Sequence, residues 1–161
     1  MPPSRKAHPT SATSTVPATT DRTRTARVLG TVVIVLGALM VVAGATTWFT
    51  VRANLVAEQI TIADDAAAFQ GQIVNGPIDA WIQADIINHH ALEASDGKTY
   101  AQLDREDPVR ATMMNASFLR ASLFTSVVAF GVAALVMGVG VVFGLVGWAI
   151  RALAPKAVGV A

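Results

Sequence analysis

The chain has 161 residues, 53% of them hydrophobic and only 14% charged, with a mean hydropathy of +0.50. A soluble domain of this length carries nearer a quarter of its residues charged, so the composition points to a membrane protein before any residue is placed. There is no cysteine, which excludes disulfides and thiolate metal centres, and a formal net charge of +1 conceals a strong asymmetry along the chain.

Residues 1–27 form a polar tail. Pro2, Pro3, Pro9 and Pro17 sit among Ser and Thr, with almost no large apolar side chain. Such a segment buries too little surface to offset its ordering entropy, and the expectation is a disordered basic tail. Its bases, Arg5, Lys6, Arg22, Arg24 and Arg27, face a single acid, Asp21. With so few bases and no interleaved aromatic, they read as a topology signal and not as a nucleic-acid arm.

Residues 28–51 carry no ionisable side chain between Arg27 and Arg52. At 1.5 Å per residue the run reaches about 36 Å, enough to cross the hydrocarbon core as a first transmembrane helix. Gly30, Gly37 and Gly44 recur every seven residues, a spacing that lets a second helix approach closely. Trp48 and Phe49 fall where an interfacial aromatic belongs. Ala43-Gly44-Ala45 resembles a signal-peptide cleavage site, but the apolar run continues through Val51, which favours an uncleaved anchor.

Residues 52–120 connect this helix to the next apolar run and hold ten acids against five Lys or Arg, a net charge of −5. Arg22, Arg24 and Arg27 precede the first span and Arg52 alone follows it. Arg151 and Lys156 follow the second. The positive-inside rule then places both termini in the cytoplasm and the acidic connection outside, in the plasma membrane. Within the connection, residues 53–59 extend the first helix and residues 71–76 form a loop. Pro77 opens a helix to about Ala94, on which Ile78, Trp81, Ile82, Asp85, Ile86 and His89 follow a helical period. Trp81 is the expected anchor of a small outer core, with a place on the membrane surface or against a ligand as the alternatives. Asp96-Gly97 marks a turn, residues 99–103 a short helical piece, and Met113 and Met114 a contact with a neighbouring helix. Asp107-Pro108 is a strong start signal for a last helix that begins near Pro108 and runs into the membrane.

Residues 121–150 form the second transmembrane run, again without an ionisable side chain. Gly131 and Gly138 are seven apart, as are Gly140 and Gly147, and Gly140 to Gly144 is a GxxxG. The helix-packing candidates are Gly30, Gly37, Gly44, Gly131, Gly138, Gly140 and Gly144, and the interfacial candidates are Trp48 and Trp148. Thirty residues reach about 45 Å, which exceeds a hydrocarbon core of roughly 30 Å and requires tilt or protrusion. Residues 151–161 are a short cytoplasmic tail.

The one cluster that invites chemistry is Asp85, His89 and Glu93, spaced i, i+4, i+8 on one helix face, with His90 beside it. Two carboxylates and an imidazole suit a divalent metal, but three residues strung over two turns reach one ion poorly, so no metal or cofactor is assigned. Neither apolar run contains Asp, Glu, Lys, Arg or His, which speaks against proton relays and ion-coupled transport. The sequence shows no P-loop, dinucleotide fingerprint or nucleophile elbow.

Three phrases carry a resemblance: residues 84–94 (ADIINHHALEA), 97–108 (GKTYAQLDREDP) and 116–126 (ASFLRASLFTS). They resemble a family of small actinobacterial two-helix membrane proteins that often carry the name "aromatic ring-opening dioxygenase, alpha subunit". The resemblance implies a multi-pass membrane protein. The family's name implies a subunit of a non-haem iron enzyme, although His89, His90 and Glu93 do not compose a facial triad and no catalytic residue carries over. The expectation is an all-α membrane protein: a two-helix transmembrane hairpin, a small helical extracytoplasmic connection and a disordered N-terminal tail. It acts as a non-catalytic accessory or assembly subunit, with the bilayer and a membrane protein, or a second copy, as partners. An extracytoplasmic ligand or metal sensor using Trp81, His89 and His90 is the alternative.

Overall fold

A computed structural model describes residues 19–154. The described chain forms three α-helices and one 3-10 turn: α1 (Thr19–Ala57), α2 (Pro77–Ala94), the turn Tyr100–Gln102, and α3 (Arg110–Leu153). The tail expected to be disordered lies outside the described residues up to position 18, as do residues 155–161. Residues 19–27 belong to α1, which moves the expected boundary at Val28. No proline or glycine stands between Thr19 and Gly30, so nothing in the sequence stops the helix from starting early.

α1 and α3 pack side by side and antiparallel, and both are long and apolar enough to cross a membrane. Their contact has a strict register. A Cβ at Gly30 would touch the Gly147 carbonyl, one at Gly37 the Gly140 carbonyl, and one at Gly44 the Ala133 carbonyl. Each step of seven residues up α1 meets a step of seven down α3. A seven-residue repeat on both helices is the pattern of a left-handed pair. One heptad further, Val51 and Ser126 line the same groove between the helices.

Beyond that groove the helices hold a small head. α1 ends at Ala57 and turns through Gln59 with φ 51°. The chain then doubles back. The Ile62 N–H donates to Gln72 O at 2.9 Å and the Val74 N–H to Ile60 O at 2.9 Å, around one bridge between Thr61 and Ile73. Ile62 and Val74 are thereby buried with Leu55, Ala66, Ala80, Ala84, Leu123 and Phe130. α2 starts at Pro77, and the Asp79 carboxylate accepts the N–H groups of Asn75 at 2.7 Å and Gly76 at 2.8 Å. This ties the loop to the positive end of the helix. α2 ends at a left-handed Asp96-Gly97 pair, with the Gly97 N–H on Leu92 O at 2.7 Å.

α2 lies antiparallel along the first turns of α3. Trp81 meets Phe124 near one end, and Ala91 packs with Met113 and Leu103 near the other. The face α2 buries is small: Ala80, Ala84 and Ala91 with Gln83. Ile82, Ile86 and Ile87 pack half-buried beside it, whereas the other apolar members of the helical period stay open. Ile78 is 66% exposed and Trp81 54% exposed, which corrects the expectation that Trp81 anchors the core. Gln83 is 8% exposed and accepts the Ala63 N–H at 3.1 Å, so the buried amide fastens the loop to the helix.

α3 begins at Arg110, two residues after Pro108. The Asp107 carboxylate takes the Val109 N–H at 2.9 Å and Arg110 N–H the Asp107 carbonyl at 3.0 Å. The helix continues unbroken for 44 residues, so stalk and apolar run are one element. Leu123, at the start of the run, is 2% exposed beneath the head. The Arg110 guanidinium sits 4.1 Å over the Tyr100 ring and donates to Leu103 O at 2.5 Å, locking the 3-10 turn against the helix start.

Candidate functional site

The seam between α1 and α3 is the most tightly built surface. A Cβ at Gly37 would lie 2.5 Å from Gly140 O, 2.9 Å from Gly144 N and 3.1 Å from Phe143 Cβ. One at Gly140 would lie 2.6 Å from Gly37 O, and one at Gly147 2.6 Å from Gly30 O. Backbone meets backbone here, which only glycine permits. Gly44 is closed by Met137 and Ala133, and the Arg151 stem lies over Gly30. Of the seven candidate glycines, Gly30, Gly37, Gly44 and Gly140 face this seam. Gly131, Gly138 and Gly144 do not: a Cβ at any of them would meet nothing within 4 Å. Gly147 belongs to the seam and was not among the candidates, although its heptad spacing from Gly140 signalled it. The GxxxG is used on one side only, because the seam follows the seven-residue repeat and Gly144 offers it backbone without pointing into it.

Six hydroxyls of the two apolar runs are satisfied within their own helix. Thr31, Thr46, Thr47, Thr50 and Thr125 each donate to the carbonyl four residues back, at 2.7–3.0 Å, and Ser126 does so at 3.2 Å. Trp48 packs edge-on against Phe130 with ring centroids 4.7 Å apart, so it joins α1 to α3, whereas Trp148 is 66% exposed.

The titratable cluster on α2 divides into pairs. His89 Nε2 lies 3.1 Å from Glu93, an exposed pair along the helix. His90, the next residue round the helix, instead meets Asp65 of the loop at 2.6 Å. That contact holds the Asp65 carboxyl below the ordinary aspartate value, chiefly through the His90 hydrogen bond. Asp65 had no local sequence signal, since it lies 25 residues from His90. Among the described residues no three His, Asp or Glu side chains converge as metal ligands, Asp85, His89 and Glu93 included. His90 borders an open groove between α2 and α3, with Ile87, Asn115 and Leu119 on its walls.

Comparison with known proteins supplies no relative: no family model, no curated protein and no solved structure matches this chain.

Proposed function

We propose that the chain is a two-span integral membrane protein of the plasma membrane. Both termini are cytoplasmic and the acidic head is outside. It acts without catalysis, as an accessory or assembly subunit that engages another membrane protein or a second copy. The observation that carries the membrane reading is the surface of α1 and α3. Only 17% of the most apolar stretch of each helix is buried. The core helix of a soluble protein would be mostly covered. Here Val28, Leu39, Val42, Val128, Leu135 and Leu145 are each more than half exposed. So large an apolar surface is at home in lipid. The self-satisfied hydroxyls support the same setting, because a bilayer offers them no other partner.

The seam supports an anchor that stays uncleaved. Loss of α1 would leave the backbone at Gly140 and Gly147 without its cover. The accessory role is supported by where the polar groups lie. His89 with Glu93 and His90 with Asp65 form exposed pairs on the head, and the glycines left open at Gly131 and Gly138 offer small-residue faces for a further helix. The test is purification in gentle detergent with identification of whatever co-purifies. Recovery of a stoichiometric membrane partner or a stable homo-oligomer, lost on Gly138→Leu, is expected. A strictly monomeric chain that binds nothing would overturn the assembly reading.

A further inference from the structure

The base of α2 exposes large apolar side chains where the head meets the apolar helices. Ile78 is 66% exposed and Trp81 54% exposed, although both belong to the helix's only apolar period. The Trp81 ring stands edge-on to Phe124, with centroids 5.1 Å apart and planes at 80°. Phe124 lies within the charge-free run of α3. The helix register fixes its level: Val51 and Ser126 share a groove, so Arg52, the first charge after the apolar run of α1, is level with Thr125 and Phe124. Trp81 therefore sits at the height where the apolar surface of the hairpin gives way to charge.

The charges around it are arranged accordingly. Asp79, between Ile78 and Trp81, turns its carboxylate into the N–H groups of Asn75 and Gly76. Asp85 lies one turn further along α2, on the side away from the apolar run. Arg120, one turn above Phe124, holds its guanidinium 5.8 Å over that ring, and its buried Nε has no hydrogen-bond partner. An indole packed on Phe124 at the boundary, with a guanidinium over that same Phe124 ring one turn nearer the head, is the layering of a bilayer interface, where Trp favours the carbonyl level and Arg reaches phosphate.

We propose that the N-terminal turns of α2 are seated in the outer leaflet's interface, with Ile78 and Trp81 in direct contact with lipid. The exposed stripe is continuous through Phe124 with Val128 of the lipid-facing surface of α3. This rests on the membrane reading above. It makes the head a membrane-bound layer held by α2 as well as by the two spans.

The test uses the full chain in liposomes of phosphatidylcholine and phosphatidylglycerol, with bromine-labelled lipid as quencher. Trp48→Phe with Trp148→Phe leaves Trp81 as the only tryptophan, and Trp48→Phe with Trp81→Phe leaves Trp148. Most of the Trp81 emission is expected to be quenched, more strongly by bromines near the ester end of the acyl chain than by bromines at its far end. Unquenched, water-like Trp81 emission beside quenched Trp148 would overturn this proposal and leave the membrane reading intact. Loss of quenching at both would overturn the membrane reading itself. As a second measurement, the cysteine-free chain accepts a single nitroxide label at Ile78→Cys or Glu93→Cys. The label at position 78 should collide more with oxygen than with a water-soluble nickel chelate, and the label at 93 the reverse. Equal, water-like behaviour at both positions contradicts the proposal, and would hand the stripe to a protein partner.

Discussion

Replacing Gly37 by alanine adds one carbon at the tightest point of the hairpin. That carbon would lie 2.5 Å from Gly140 O and 2.9 Å from Gly144 N. An ordinary C···O contact is about 3.3–3.6 Å, so the helices must part by roughly 1 Å. The obstructing atoms are backbone and cannot rotate away. Overpacking of this kind costs about 1–3 kcal/mol, offset by up to about 1 kcal/mol of improved helix propensity. The net loss is then about 1–2 kcal/mol. At about 2–4 °C per kcal/mol for a chain of this size, the midpoint should fall by roughly 2–8 °C. Thermal unfolding in mild detergent, followed by near-ultraviolet circular dichroism of the Trp48–Phe130 pair, measures it directly. Gly138→Ala is the control: its carbon meets nothing, and its midpoint should hold or rise. Gly37→Ala and Gly140→Ala probe the same gap from opposite sides, so the double variant should lose less than the two single losses combined. If Gly37→Ala and Gly138→Ala unfold at the same temperature, the seam is not where the structure puts it.

Other perturbations reach the head. Asp79→Ala removes the acceptor for two backbone N–H groups at the start of α2 and should cost about 0.5–2 kcal/mol, read as faster amide exchange at Asn75 and Gly76. Arg110→Met should release the Tyr100–Gln102 turn at a cost of about 1–3 kcal/mol, visible as loss of protection there with the apolar helices unchanged. The Asp65–His90 contact lowers the Asp65 value, so its contribution is fully present above the ordinary aspartate pKa. It is lost as pH falls through the depressed one, below about pH 4. Asp65→Asn should flatten that acid limb in a loop-specific amide titration. An unchanged limb would detach the effect from this pair.

The apolar cores of the two long helices were legible because charge brackets them, Arg27 and Arg52 around one run and Arg120 and Arg151 around the other, although both helices continue past these arginines. α2 was legible at both ends, since Pro77 fits only a first turn and Asp96-Gly97 adopts the positive φ that ends a helix. The phase of the glycine repeats was not. α3 carries two heptad series, at 131 and 138 and at 140 and 147, and period alone does not say which one faces α1. The structure places Val41 and Ile34 of α1 beside the second series, and Met137 of α3 over Gly44. The fully buried face of α2 was hidden for a related reason: its buried positions are Ala80, Ala84 and Ala91, with Ile82 and Ile86 half-buried beside them and Ile78 and Trp81 exposed. The loop at 59–75 has no period, and its pairing of Ile62 with Gln72 and of Asp65 with His90 is set by tertiary closure.

The central claim is a hairpin that crosses the membrane twice with its head outside. The chain has no cysteine, so single cysteines at Ser14, Asp96 and Ala161 report each segment without background. Labelling intact cells with a membrane-impermeant maleimide should modify the cysteine at 96, and those at 14 and 161 only after permeabilisation. Protection of position 96 in intact cells, or labelling of position 14 from outside, would contradict the account.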